Sequence, residues 1–325
     1  MHIDIDTLQE INPVANPVWA WGTASIAQAI FTFTRGTKIV FEGDDILKRG
    51  RQFIMATNHS HKMDFLPLRA PLLYRGHTFL TWIKARAYKD PAMGTFLKYT
   101  GNVPICSRGY LIAADYWDLF GERPTEEEYR LLREHVDRGA ALPTTERFEA
   151  LLKTPRRMLG LFFNPAAFSY RQAVRQLYYE LMQIALRMTR RGIHRGDHVQ
   201  IYPQGAISSR MTRCHIGIVE ASVALGLPVV PVGISGCREV FIGNGPRTRA
   251  GKIVVRFGEP YEIPRGELPD DFRAFHPEDE EVHRPVLKKH AAVITELMNA
   301  QLEPDYQMLP EGDGYDGKEG VDRFF

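Results

Sequence analysis

Cysteine is scarce: Cys106, Cys214 and Cys237 are the three in a chain of 325 residues. An odd count with no C-x-x-C spacing fits neither a disulfide framework nor a zinc ribbon, and it points to a reducing, cytoplasmic setting. A surplus of charge is lacking as well. Lys and Arg number 41 against 39 Asp and Glu, a formal net charge of +2. A dedicated nucleic-acid binder normally carries a large basic excess, so that class is set aside. A balanced total leaves room for a local basic face on a membrane. The residues Met1-His2-Ile3-Asp4-Ile5-Asp6 are acidic where a signal peptide is basic, which argues against secretion. No G-x-S-x-G elbow occurs, which argues against a serine hydrolase. What remains, with 44% hydrophobic and 25% charged residues, is the composition of a globular protein.

Formal charge is absent from Ile11 to Thr34. In length this segment matches the ~30 Å of a bilayer's hydrocarbon. It is nevertheless interrupted by Asn12, Pro13, Asn16, Pro17, Thr23, Ser25 and Gln28, and it carries Trp19 and Trp21 near its start. Indole rings favour the membrane interface, so a helix lying on a membrane fits better than one that spans it. A helix packed on its own domain, with Trp19, Ile26, Ile30 and Phe33 inward, fits equally well.

Short apolar runs at 38–43, 52–57, 78–83, 101–106, 198–202, 228–234 and 252–257 read as strands. Helical stretches lie between them, including 91–99 and 219–225, and the alternation implies an α/β fold with helices on the faces of a sheet. The stretch 110–195 has no convincing strand and several helix starts, and it reads as a helical insertion. Within it, Arg156 to Phe163 is either a buried helix junction or a cationic and apolar membrane contact. Acidic residues dominate 259–281, which reads as a solvated loop before a final helix over 285–302. The tail beyond it is expected to fray.

The chemistry-bearing residues begin at Asn58-His59-Ser60-His61-Lys62-Met63-Asp64. A histidine at a strand end suits a general base, and a nearby carboxylate can hold its tautomer and stabilise the imidazolium. Without a serine nucleophile, the base has to activate a hydroxyl of the substrate. The H-x-x-x-x-D spacing alone is weak, since Asp64 also suits a helix cap. Its specificity comes from the ordered series of segments downstream of it. These are Lys84 to Leu97, Gly101 to Gly109 with Arg108, Ile201-Tyr202-Pro203-Gln204-Gly205-Ala206-Ile207-Ser208, Leu227 to Val232, and Arg256-Phe257-Gly258-Glu259-Pro260.

This series resembles the glycerolipid acyltransferase family that includes lysophosphatidic acid acyltransferase and glycerol-3-phosphate acyltransferase. The resemblance runs from about Val40 to Pro264, interrupted by the insertion. It implies a mixed sheet flanked by helices and direct acyl transfer, from acyl-CoA or acyl carrier protein to a hydroxyl of a lysophospholipid or glycerol-phosphate-like acceptor. His59 would be the base and Asp64 its orienting group, with no metal and no cofactor. Asn58, Lys84, Arg108, Pro203, Gln204, Gly205 and Arg210 are the expected substrate-binding residues, and backbone N–H groups near Gly205 would steady the oxyanion. The expected organisation is a helical, membrane-interfacial segment over 1–37, one acyltransferase domain over 38–302 with the insertion at 110–195, and a tail over 303–325. The expected location is the cytoplasm, peripherally associated with the inner face of a membrane.

Three positions depart from the family pattern. Gln204 stands where the third block, usually F-P-E-G-T-R-S, has glutamate. Ile207 replaces its arginine, which removes the cation expected to meet an acceptor phosphate. Cys106-Ser107 makes the second block one residue longer. Arg108 is then the first candidate for an anionic ligand, since its planar fork suits phosphate or carboxylate, with Arg210 and Lys62 behind it. Two other activities remain open on the same residues: hydrolysis of an acyl thioester, with His59 activating water, and lipid binding without catalysis.

Overall fold

The computed structural model describes residues 3–12, 16–33, 36–310, 316 and 320. In chain order its main elements are α1 (Ile5–Glu10), α2 (Pro17–Phe33), β1 (Thr37–Glu42), β2 (Ile54–Thr57), α3 (Leu66–Tyr74), β3 (Phe79–Lys84), α4 (Pro91–Tyr99) and β4 (Asn102–Ile105). There follow α5 (Arg108–Phe120), α6 (Glu126–Arg138), α7 (Glu146–Lys153), β5 (Arg156–Met158), β6 (Leu161–Phe163) and α8 (Tyr170–Ile193). The chain continues with β7 (His198–Ile201), α9 (Gly217–Leu225), β8 (Val229–Ser235), α10 (Cys237–Val240), β9 (Gly251–Phe257) and α11 (Pro277–Asn299).

Seven strands form a mixed sheet in the order β1-β9-β8-β2-β7-β3-β4. β2, β3, β4, β7 and β8 are mutually parallel, while β9 runs antiparallel to β8 and carries β1 parallel to itself. The central strands β2 and β8 are buried at every residue. That burial explains their continuous apolar runs, because helices cover both faces of the sheet. Side chains alternate between two cores. Ile54 and Val229 join a core built with α5, α8, α9 and α11, and Met55 and Val230 join one built with α2, α3 and α10. The fold class expected from the strand–helix alternation is therefore the one observed.

Several local expectations are corrected. The stretch 110–195 does contain strands, because Arg156–Met158 and Leu161–Phe163 pair as an antiparallel hairpin. Its two-residue turn puts Leu159 (φ 46°) and Gly160 (φ 102°) in the left-handed region, as the tight hairpin turns require. Arg156 ties the hairpin to α5 through Asp115, at 2.9 and 2.6 Å. The final helix starts at Pro277, not near Pro285, so Glu278, Asp279 and Glu280 form its first turn rather than a solvated loop. Acids there suit the positive end of the helix dipole, and Pro277 suits the first helical position. The tail is anchored as far as Met308. Tyr306 is buried, its backbone carbonyl accepts from Met211 N at 2.7 Å, and Met308 N donates to Asn299.

On α2 the inward residues are Ala24, Ala27 and Phe31, whereas Trp19 and Ile26 are 42% and 65% exposed. The expectation of Trp19 and Ile26 facing inward is therefore reversed, and the side chain of Phe33 lies outside the described residues. Among the described residues, no helix is long and apolar enough to cross a membrane.

Candidate active site

β2 and β7 are neighbours, yet the chain leaves them on opposite faces. From β2 it enters α3, packed in one core, and from β7 it leads to α9, packed in the other. In open α/β sheets, such a switch point leaves a crevice at the carboxyl ends of the parallel strands. The loop after β2 carries His59 and Asp64, and the loop after β7 carries Pro203, Gln204 and Gly205.

His59 Nδ1 lies 2.9 Å from Asp64 Oδ2. Asp64 is fully buried, and the same oxygen accepts the backbone N–H groups of Ser60 (3.0 Å) and His61 (3.3 Å), while its Oδ1 accepts the phenol of Tyr202 (3.2 Å). A carboxylate surrounded by donors stays an acceptor, so the shared proton sits on His59 Nδ1 and Nε2 is left with its lone pair. His59 Nε2 makes no hydrogen bond among the described residues, and the side chain keeps 23% exposure. This arrangement can take a proton from a hydroxyl or a water held at Nε2.

The two loops are clamped together. Asn58 is buried at the end of β2, and its amide donates to Ile234 O (3.0 Å) and accepts from Ile234 N (2.7 Å) on β8. Gln204 Oε1 accepts from His59 N at 2.9 Å, while its Nε2 donates to Arg210 O and Thr212 Oγ1, both at 3.2 Å. The departure from glutamate thus has a physical account: an amide both accepts and donates here, which a carboxylate cannot do. Ser208 N closes the loop on His59 O at 2.9 Å, and Ser208 Oγ and Ser209 N both donate to Asp316. Pro203 is buried, and its carbonyl accepts from His215 N. Gly205 has φ +71°, and a Cβ there would come within 2.8 Å of the His215 ring. Its own N–H donates to Tyr202 O in a turn, so that donor is engaged within the loop rather than offered to an oxyanion.

The expected cationic ligands are placed differently. Lys84 ends β3 at the same edge of the sheet and is half-buried. Arg108 opens α5, where its guanidinium pairs with Glu280 (3.0 Å) and Asp137 (3.3 Å) and lies over the ring of Tyr178. Arg210 donates to the carbonyls of Pro304 and Gln307 and so holds the C-terminal segment. In this structure both arginines meet groups of the chain itself.

Two participants are not evident from the motifs. Tyr202 stands beside the His59 ring at 4.3 Å between centroids and donates to Asp64. His61 stacks on Phe241 at 5.1 Å, accepts from Met63 N at Nδ1 and meets Gly243 O at Nε2, so it fixes the loop instead of serving as a second base. A polar residue at each alternate position of β7 and the following loop, Gln200 and Tyr202, is the available signal for the first.

Residues 38–138 match the family model described as Acyltransferase. That segment holds Asn58, His59, Asp64, Lys84 and Arg108, the first two blocks of the motif series, and the later blocks lie outside it. Among solved structures, the chain is similar to the 1-acyl-sn-glycerophosphate (LPA) acyltransferase PlsC from Thermotoga maritima, with 16% identity, 84% of this chain and 80% of that chain covered, and a TM-score of 0.42. No curated protein matches significantly.

Proposed function

We propose that the protein transfers a fatty acyl group from an acyl thioester, acyl-CoA or acyl carrier protein, to a hydroxyl of a lysophospholipid or glycerol-phosphate-like acceptor. The observation that carries this reading is the His59–Asp64 contact of 2.9 Å, with His59 Nε2 left without a partner among the described residues, inside the family-matched segment. His59 Nε2 takes the acceptor's proton as the oxygen attacks the thioester carbonyl. The tetrahedral intermediate collapses with expulsion of the thiolate, and the proton held on His59 passes to the leaving sulfur. The chain's residues form no covalent acyl intermediate in this scheme, and no metal or cofactor takes part.

The acceptor and donor are taken up at a membrane surface. Val18, Trp19, Trp21 and Ile26 on α2 are exposed together with Tyr74, Met93 and Tyr99, and Trp19 stacks on Tyr99 at 5.7 Å. Aromatic rings with one apolar and one polar part suit the headgroup level of a bilayer. The protein then works peripherally, from the cytoplasmic face.

The test incubates the purified chain with palmitoyl-CoA, or palmitoyl carrier protein, and lysophosphatidate in vesicles, and reads products by mass spectrometry. A diacyl product supports the proposal. Free palmitate at the same rate with and without acceptor would make the protein a thioester hydrolase. For the membrane, Trp19→Ala with Trp21→Ala is expected to reduce vesicle flotation several-fold. Unchanged flotation removes α2 from the docking surface.

A further inference from the structure

A chain of buried hydrogen bonds crosses the sheet and ends on Asp64. Thr81 on β3 and Gln200 on β7 are register partners, and Thr81 Oγ1 donates to Gln200 Oε1 at 2.9 Å. A hydroxyl pairs with either end of an amide, so the direction is set from the far end: the Asp64 carboxylate accepts from the Tyr202 phenol, and the phenol oxygen then takes the amide's donor. Gln200 Nε2 then donates to Thr57 Oγ1 on β2 at 3.3 Å and to the Tyr202 phenol oxygen at 2.9 Å. With its oxygen receiving a proton, Tyr202 turns its own O–H to Asp64 Oδ1, 3.2 Å away. Thr57, Thr81 and Gln200 are all buried. Nothing in a strand-core position requires a glutamine, since leucine or valine fills such a site without needing partners.

The two oxygens of Asp64 are served unequally. His59 Nδ1 and the N–H groups of Ser60 and His61 all meet Oδ2. Among the described residues, Tyr202 alone meets Oδ1. Without it, a fully buried carboxylate oxygen has no donor, and the carboxylate is free to turn about its Cβ–Cγ bond. Tyr202 occupies the place of the phenylalanine in the usual third block, so the hydroxyl is a property of this chain.

We infer that Tyr202, polarised by Gln200, is a positioning residue: its phenol fixes the rotation of Asp64 and draws off part of the carboxylate's charge, which sets the basicity of His59. The inference rests on His59 acting as the base. The other charged or titratable groups around the phenol are Arg69 on α3, which donates to Phe79 O and Thr100 O, and the Cys237 thiol at the start of α10. Burial raises the Cys237 thiol well above its usual range and keeps it neutral, and burial together with Asp64 does the same for the Tyr202 phenol. Both therefore stay protonated across the range in which an imidazole titrates.

Removing a donor from a carboxylate concentrates its charge on the neighbour it still holds, and an imidazolium beside it becomes harder to deprotonate. The test is an NMR titration of the His59 imidazole in the full-length protein and in Tyr202→Phe, the resonance being assigned by its loss in His59→Ala. Tyr202→Phe is expected to move the titration to higher pH by about half a unit to one unit. The acid limb of kcat/KM moves with it, which lowers the rate about three- to tenfold on that limb. Should Tyr202→Phe fail to fold, Gln200→Met replaces it, with a smaller shift in the same direction. A titration that stays in place or moves to lower pH overturns the inference, even where the rate falls. Because the titration needs no substrate, it stands apart from the acyl-transfer reading, which fails instead if folded His59→Ala still transfers acyl groups.

Discussion

Asp64 and Glu280 are both carboxylates with almost no exposure, and each sits within a network of hydrogen bonds at the same end of the sheet. Glu280 meets two guanidinium groups, Arg108 at 3.0 Å and Arg284 at 2.5 Å, and its charge is matched inside the fold. Asp64 meets two backbone N–H groups, a phenol and one imidazole nitrogen, none of which needs to carry a positive charge. The first network binds α5 and α6 to α11. The second leaves one ring nitrogen with an unmatched lone pair at an opening. A buried carboxylate closes a fold when its partners are cations, and prepares a base when its partners are neutral donors around a histidine. Near Glu280, Glu220 shows how strongly burial acts: with Glu280 beside it, burial pushes its carboxyl up to about 8 although the Phe275 N–H, Arg108 and Arg284 oppose the shift.

Substitutions separate the two networks. Asp64→Asn is expected to lower acyl transfer about a hundredfold or more, because an amide cannot accept from every donor now around the carboxylate and no longer steadies an imidazolium. Donor binding, measured by equilibrium titration, should survive. Equal rates for wild type and Asp64→Asn would remove Asp64 from the pair. Arg108→Ala should act on stability instead, costing ~3 kcal/mol because Glu280 is left buried with one cation in place of two. In thermal melts Tm should fall by several degrees, and the KM for an anionic acceptor, measured on the folded fraction, should change by less than about twofold. A large rise in that KM with Tm unchanged would return Arg108 to substrate binding. Gln204→Glu restores the family's residue but turns a carboxylate oxygen toward the Arg210 carbonyl, so a loss of ~1–2 kcal/mol is expected in denaturant unfolding. A gain in stability would mean that the loop re-forms around glutamate.

Much of this is legible in the sequence. The seven strands of the main sheet, α4 and α9 follow from apolar runs bounded by proline and glycine, and His59 and Asp64 come together as their spacing implies. The acidic stretch before the last helix misleads because charge density suggests solvation, whereas Pro277 with four acids behind it is a helix start signal of the kind that Pro124 to Glu128 gives for α6. Arg108 is a different case. A motif arginine states a charge, and only the fold brings Glu280, 172 positions away, against it. Tyr202 lies inside a block that the motifs already mark, but the strand register that stacks Thr81, Gln200 and Tyr202 into one donor chain is a product of the sheet.

The most direct measurement is the acyl-transfer rate of a His59→Ala protein whose Tm matches that of the wild type. The side chain is partly exposed, and among the described residues its ring makes a single hydrogen bond, to Asp64, so folding should be retained. Transfer should fall about a thousandfold or more with the thioester donor still bound. A well-folded His59→Ala protein that turns over at a rate near that of the wild type would contradict the account.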